Sequence, residues 1–340
     1  MDYLEICKNA REIFGNHCLV CPVCNGKACA NRIPGPGCKP PGLTAVRNYE
    51  KWQEIFVNMD TICSNKTPDT SYELFGKQFK YPFFAAPIGS MKMHYGGDHT
   101  DITYNAQLIP GCIDAGIAAF TGDGVDPEVM LSSAKVMNQF GGIGVPVIKP
   151  WNIEAVKEKL DVLNATDIFA AAMDIDGAGL PFLKAMNPNA GSKSVEELRE
   201  IIEYAKMPFI LKGIMTVKGA VKAVEAGAKG IVVSNHGGRV LGNCPSTAEV
   251  LKDIVDEVGN DITIMVDGGI RTGSDIFKAL AIGADSVLIG RPYVPMVYGG
   301  GKEGIKVYTD KLGAELVDTM TMCGAHSLDE ISRDMIYFAK

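Results

Sequence analysis

His236 and Arg239 stand three residues apart in Ser234-Asn235-His236-Gly237-Gly238-Arg239, just past the apolar run Gly230-Ile231-Val232-Val233. Imidazole takes and returns a proton near neutral pH, and a guanidinium fork matches a carboxylate. An apolar run of that length reads as a buried parallel strand, so both residues fall on the loop at its C-terminal end. In a (β/α)8 barrel that end carries the chemistry. A histidine beside glycines is more often structural than catalytic, so its neighbours decide.

Two later segments repeat the pattern: Thr263-Ile264-Met265-Val266-Asp267-Gly268-Gly269-Ile270-Arg271-Thr272-Gly273, and Ser286-Val287-Leu288-Ile289-Gly290-Arg291-Pro292. Each is an apolar run ending in glycines beside an arginine. Glycine lets backbone N–H groups approach an oxyanion, a following helix adds positive potential, and arginine adds fixed donors. Two such loops late in the chain read as a phosphate cradle, which barrels commonly place after their last two strands. Tight turns with no ligand are the plainer alternative for either loop alone.

These segments, with Ile210-Leu211-Lys212-Gly213 before them, resemble the FMN-dependent α-hydroxy acid oxidase and dehydrogenase family. The first half is similar more loosely, through Ala85-Ala86-Pro87-Ile88-Gly89-Ser90-Met91 and Met173-Asp174. The resemblance implies FMN, oxidation of a 2-hydroxy acid to a 2-oxo acid, and hydride passage to flavin N5. It implies that His236 takes the substrate proton, that Asp174 holds the imidazolium, and that Arg239 pairs with the substrate carboxylate. Lys212 would stabilise the reduced ring, with a structural ion pair as its plainer role. Ser234, Pro87, Ile88 and Gly89 would line the flavin, while Asp267, Gly269, Arg271, Gly290 and Arg291 would hold its phosphate. A homotetramer is also implied.

Departures from the family pattern bear on the substrate. The tyrosine and glutamine expected on the third strand align with Pro146 and Gly144. The arginine-bearing loop expected after the fourth strand reads Ile175-Asp176-Gly177-Ala178-Gly179-Leu180, and the N-terminal tyrosine has no counterpart. A bulkier substrate follows, or another flavin reaction such as isomerisation or reduction. A flavin- or metal-binding regulator without turnover is a third alternative.

The elements that must position these groups are legible as eight apolar runs, at 83–88, 117–120, 143–148, 168–173, 209–211, 230–233, 262–266 and 286–289. Helix-like segments alternate with them at 152–160, 194–205, 217–226, 246–258 and 274–282, and Ser194 with Glu197 forms a capping box. The alternation predicts an α/β fold, a (β/α)8 TIM barrel, with a doubly wound open sheet as runner-up. Residues 176–193 read as a loop in which a lid could lie. The 340 residues and 46% apolar content suffice for one large core, and a net charge of −7 argues against nucleic acid or an anionic membrane as partner. No run reaches membrane-spanning length and Met1-Asp2-Tyr3-Leu4-Glu5 lacks signal-peptide character, so a cytoplasmic location is expected.

Six of the ten cysteines lie in the first forty residues. The core spacing Cys18-x2-Cys21-x2-Cys24-x4-Cys29 would let several thiolates meet one metal, as zinc or an iron–sulfur cluster. Reduced structural cysteines or a redox-sensitive pair are the alternatives. With a cluster, electrons could leave to a protein partner. The expected organisation is a cysteine-rich extension and lead-in over 1–75, followed by an FMN-binding barrel over 76–340.

Overall fold

A computed structural model describes residues 1–180, 183 and 190–339 of the chain. Eight parallel strands form one sheet: β1 (Phe83–Ala85), β2 (Phe120–Thr121), β3 (Val145–Ile148), β4 (Ala171–Asp174), β5 (Phe209–Ile214), β6 (Gly230–Val233), β7 (Thr263–Asp267) and β8 (Ser286–Ile289). They run in sequence order, and β8 pairs with β1 through Val287 opposite Phe83. A bridge from Ala85 to Ala119 joins β1 to the start of β2 and closes the barrel, which removes the open-sheet alternative. Because helices cover the outside and side chains fill the inside, β3, β4, β6 and β8 are buried at every position, as their unbroken apolar runs require. Pro146 sits inside β3, where it lacks an N–H, and the β2–β3 ladder has only two residue pairs.

The expected helices form at Ile153–Asn164, Val195–Tyr204, Val217–Glu225, Thr247–Val258 and Gly273–Ile282. Ser194 and Glu197 make the reciprocal capping box. The helix Asp101–Asp114 contains Pro110, and the C-terminal helix Tyr293–Cys323 turns at Gly301, so each breaks the simple periodicity that would have exposed it. The expected lid begins as a single 3-10 turn, Ile175–Gly179, and its residues 181–182 and 184–189 lie outside the described residues.

Helix α1 (Tyr3–Phe14) buries Ile6, Ala10 and Phe14. It lies so close to the C-terminal helix that a Cβ on Gly299 would meet the Ile6 carbonyl oxygen at 2.0 Å. Residues 15–42 then run without helix or strand. Helix α2 (Leu43–Gln53) is tied to the barrel by polar contacts: the amides of Asn48 and Asn235 bond each other at 2.7 and 2.8 Å, and Trp52 Nε1 donates to the Gly268 carbonyl at 2.8 Å. A short strand at Ile55–Val57 pairs with Ile336–Phe338, joining the lead-in to the C-terminal end. Among the described residues no helix is long and apolar enough to cross a membrane.

Candidate active site

Of the polar side chains singled out on the barrel, Lys212, His236, Arg239, Asp267, Arg271 and Arg291 line one cavity of about 350 Å³ at the C-terminal mouth, while Asp174 and Ser234 contact Lys212 and are not part of that lining. Its walls include Pro87, Ile88 and Gly89 after β1, Lys149 after β3, Lys212 on β5, His236 and Arg239 after β6, Asp267 and Gly269 on and after β7, and Gly290 and Arg291 after β8.

The histidine is held in an uncommon backbone state. Its φ is +55°, a left-handed conformation that costs a non-glycine residue energy and persists only where its surroundings impose it. Its N–H donates to Ser234 Oγ at 3.1 Å, and Ser234 Oγ also accepts from Lys212 Nζ at 3.0 Å. His236 Nδ1 lies 2.9 Å from Asp176 Oδ1 and 3.7 Å from Asp174 Oδ1. The ring's hydrogen-bond partner is therefore Asp176, where the sequence had pointed to Asp174. Gly213 makes this approach available: β5 bulges between Lys212 and Ile214, and a Cβ on Gly213 would meet Asp176 Cγ at 2.5 Å.

Asp174 serves a different pair of cations. It is 2% exposed and bonds Lys149 Nζ directly, with Lys212 Nζ at 3.3 Å. Burial pushes its carboxyl up, but the ammonium groups of Lys149 and Lys212 outweigh that and hold it well below the usual carboxylate range. Lys212 lies 3.4 Å from Asp267 as well, and these two carboxylates overcome burial to raise its ammonium well above the usual lysine value. Lys212 is thus held as an ammonium although it is buried.

Lys149 was not anticipated. The sequence comparison set Pro146 and Gly144 at the missing tyrosine and glutamine, yet neither lines the cavity, and the side chain that the end of β3 presents there is Lys149. A charged residue closing an apolar run was the available signal. Asp123, also unanticipated, fixes the segment after Lys149, accepting from the Lys149 N–H at 3.1 Å, Trp151 Nε1 at 2.7 Å and Lys159 Nζ at 2.8 Å.

The three arginines are engaged by the N-terminal segment. Arg239 Nη1 donates to the Gly35 and Gly37 carbonyls, each at 2.9 Å. Arg291 donates to Pro36 and Gly237, and Arg271 Nε to the Cys24 carbonyl at 2.7 Å. Burial and the neighbouring Arg291 push Arg239 down to about 10, which still leaves it a cation.

Arg239 Nη2 also lies 2.8 Å from His94 Nε2, while the Gly35 N–H points at His94 Nδ1 from 3.0 Å. A neutral imidazole accepts at one nitrogen only and a protonated ring at none. Burial and Arg239 accordingly push His94 down to about 4 from its ordinary 6.5. Between those values the unfolded chain binds a proton that the folded chain refuses, so this group's share of stability falls as pH drops from about 6.5 to 4. Denaturation midpoints measured across this range should decline less steeply in His94→Gln than in the parent protein. Parallel profiles would remove His94 as a source of acid sensitivity.

The site also has the features of a flavin cradle. Asp174 Oδ1, Asp176 Oδ2 and Asp267 Oδ1 are buried without a hydrogen-bond partner, and Asp267 lines the cavity, so acceptor capacity is left there. A Cβ on Gly290 would stand 3.1 Å from Ile88 Cδ1, so the glycine keeps that wall open beside Ile88. Apolar strand ends, glycine turns and a buried ammonium suit a planar, partly anionic ring system bearing a phosphate.

The Cys18, Cys21, Cys24 and Cys29 thiols do not converge on the spacing of a single ion. Among the described residues the only three His, Cys, Asp or Glu groups with ligand atoms within 4.8 Å of one another are Asp174, Asp176 and His236, of which Asp174 already pairs with Lys149 and Lys212 and Asp176 with His236.

The family described as FMN-dependent dehydrogenase matches this chain over residues 37–112 and 152–338. A peroxisomal (S)-2-hydroxyacid oxidase of Arabidopsis thaliana is 44% identical over 153 residues, which is 45% of this chain and 41% of that protein. The match therefore spans less than half the length of that curated relative. An FMN-dependent alpha-hydroxy acid dehydrogenase of Penicillium citrinum is 29% identical over 304 residues, 78% of this chain and 75% of that one. The solved structure of mandelate oxidase with (S)-2-phenylpropionate superposes with a TM-score of 0.76 at 25% identity, covering 98% of this chain and 97% of that chain.

Proposed function

Because the chain belongs to the FMN-dependent dehydrogenase family, with FMN as its cofactor, we propose that it oxidises a 2-hydroxy acid bearing an apolar side chain to the 2-oxo acid. The observation that carries this reading is His236, bonded through Nδ1 to Asp176, lining the same cavity as Arg239, Lys149 and Lys212.

With Nδ1 donating to Asp176, the lone pair of the ring is at Nε2, and Nε2 takes the substrate hydroxyl proton. Asp176 fixes the tautomer and balances the imidazolium that results. Arg239 and Lys149 provide the positive charge for the substrate carboxylate; Arg239 does so from a position set by the Gly35 and Gly37 carbonyls. Met93, Val125, Leu180 and Leu183 line the cavity with apolar surface, which supports a substrate larger than glycolate. The residues to hold FMN are the backbone of Pro87, Ile88 and Gly89, Lys212 and Ser234 at the ring, and Asp267, Gly269, Arg271, Gly290 and Arg291 toward the phosphate. Bound there, FMN supplies the two-electron acceptor for the hydride that leaves the substrate carbon.

The test is an anaerobic visible spectrum of the flavin-loaded protein against a panel of 2-hydroxy acids. The flavin should bleach with acids carrying aliphatic or aromatic side chains and respond weakly to glycolate. FMN that no acid reduces would overturn the proposed activity while leaving family membership intact.

A homotetramer, an electron-accepting partner protein and a cytoplasmic location belong to the same proposal. Light scattering, the rate of flavin reoxidation by air and cell fractionation test them in turn, the last against the peroxisomal naming of some relatives.

A further inference from the structure

Residues 1–36 lie outside the matched family segments, and the same stretch holds Cys18, Cys21, Cys24 and Cys29. All four line a second cavity of about 250 Å³ between this segment and the barrel. The segment 15–42 contains no helix or strand, and a stretch of that length is uncommon in a compact protein unless something crosslinks or orders it. All four thiols are unpaired by disulfides.

We propose that Cys18, Cys21, Cys24 and Cys29 ligate an iron–sulfur cluster seated in this cavity.

Spacing separates a cluster from a single ion. Four thiolates on zinc at ~2.3 Å stand roughly 3.8 Å apart in a tetrahedron, and these sulfurs do not form such a group. A cube of iron and sulfide holds its thiolates farther apart and fills a cavity that one ion would leave largely empty. Charge agrees with an anionic occupant. Arg32, Arg271, Arg291 and Lys311 line the cavity against one carboxylate, Asp275, and four thiolates on a cluster add net negative charge. Sequence order agrees as well, since two x2 spacings followed by x4 bring four thiols within a twelve-residue stretch, close to the spacing of cluster-binding runs. Arg271 and Arg291 line both this cavity and the candidate active site, so the cluster would sit directly behind the proposed phosphate end of the flavin. The assignment does not depend on the proposed hydroxy acid activity.

The experiment uses the full chain purified without air, assayed for iron, acid-labile sulfide, zinc and flavin, before and after incubation with iron salts and sulfide. About four irons with matching sulfide per chain are expected, with an electron paramagnetic resonance signal after dithionite reduction that a flavin radical does not produce. Cys21→Ser and Cys24→Ser should each lose at least tenfold in iron and sulfide while keeping FMN. Cys63→Ser, an exposed cysteine outside the cavity, should lose neither. Zinc at one per chain without sulfide would overturn the cluster, and absence of metal after reconstitution would overturn the site. Full iron in both serine variants would overturn the ligand set. If those variants fail to fold, the metal and sulfide content of the parent protein decides.

Discussion

His236→Gln is expected to slow reduction of bound FMN by a 2-hydroxy acid by about 10²- to 10⁴-fold, the usual worth of a positioned general base, while FMN binding stays within about twofold. The separation follows from where the ring sits. Its side chain bonds Asp176, and the polar contacts of Ser234, Lys212, Asp267 and the glycine turns do not pass through it. Glutamine is close in length and offers an amide in place of a proton acceptor. Single-turnover absorbance under anaerobic conditions reads the chemical step directly, and equilibrium titration with FMN reads binding. Asp176→Asn should fall in the same direction by a smaller factor, since an amide still reaches Nδ1 but no longer balances the imidazolium. Turnover unchanged in His236→Gln would remove the histidine from the mechanism.

Asp174→Asn is expected to destabilise the fold by about 3–5 kcal/mol, the range for breaking a buried ion pair from one side. Asp174 stands between two ammonium groups, Lys149 and Lys212, and is 2% exposed. An amide leaves Lys149 without its ion-pair partner and Lys212 with Asp267 alone. Two like charges then face each other in a site with little water to screen them. Urea denaturation should show a lower midpoint with an unchanged slope, and FMN, if it brings further charge to Lys212, should restore part of the loss. A double variant, Asp174→Asn with Lys149→Met, should recover stability relative to the single change, because it removes the stranded cation. A midpoint equal to the parent's in Asp174→Asn would show that the pair adds nothing to folding.

Much of this molecule was legible in one dimension. Eight apolar runs gave eight strands, since a strand buried on both sides must be apolar throughout, whatever it packs against. The glycine turns after β6 and β7 marked their own positions, because a chain that reverses tightly at a strand end needs residues that tolerate positive φ; Gly237, Gly268 and Gly269 adopt it. Helices with reciprocal caps, such as Ser194 with Glu197, were read to within about a residue. Those whose pattern is interrupted, by Pro110 or Gly301, were not.

By itself, then, the sequence determined the barrel, the strand ends on which His236, Arg239 and Lys212 stand, and the family. Each depends on periodicity or on a run of neighbouring residues, and those properties survive without knowledge of the fold. Only the tertiary structure decided who meets whom. Asp176 and not Asp174 reaches His236, because a bulge at Gly213 leaves room for a residue sixty positions away. Lys149 enters the site because β3 ends one residue before it, and Arg239, Arg271 and Arg291 take up carbonyls of a segment more than two hundred residues upstream. Such choices rest on ångström distances between strand ends that barrel closure brings together, and no local pattern encodes them.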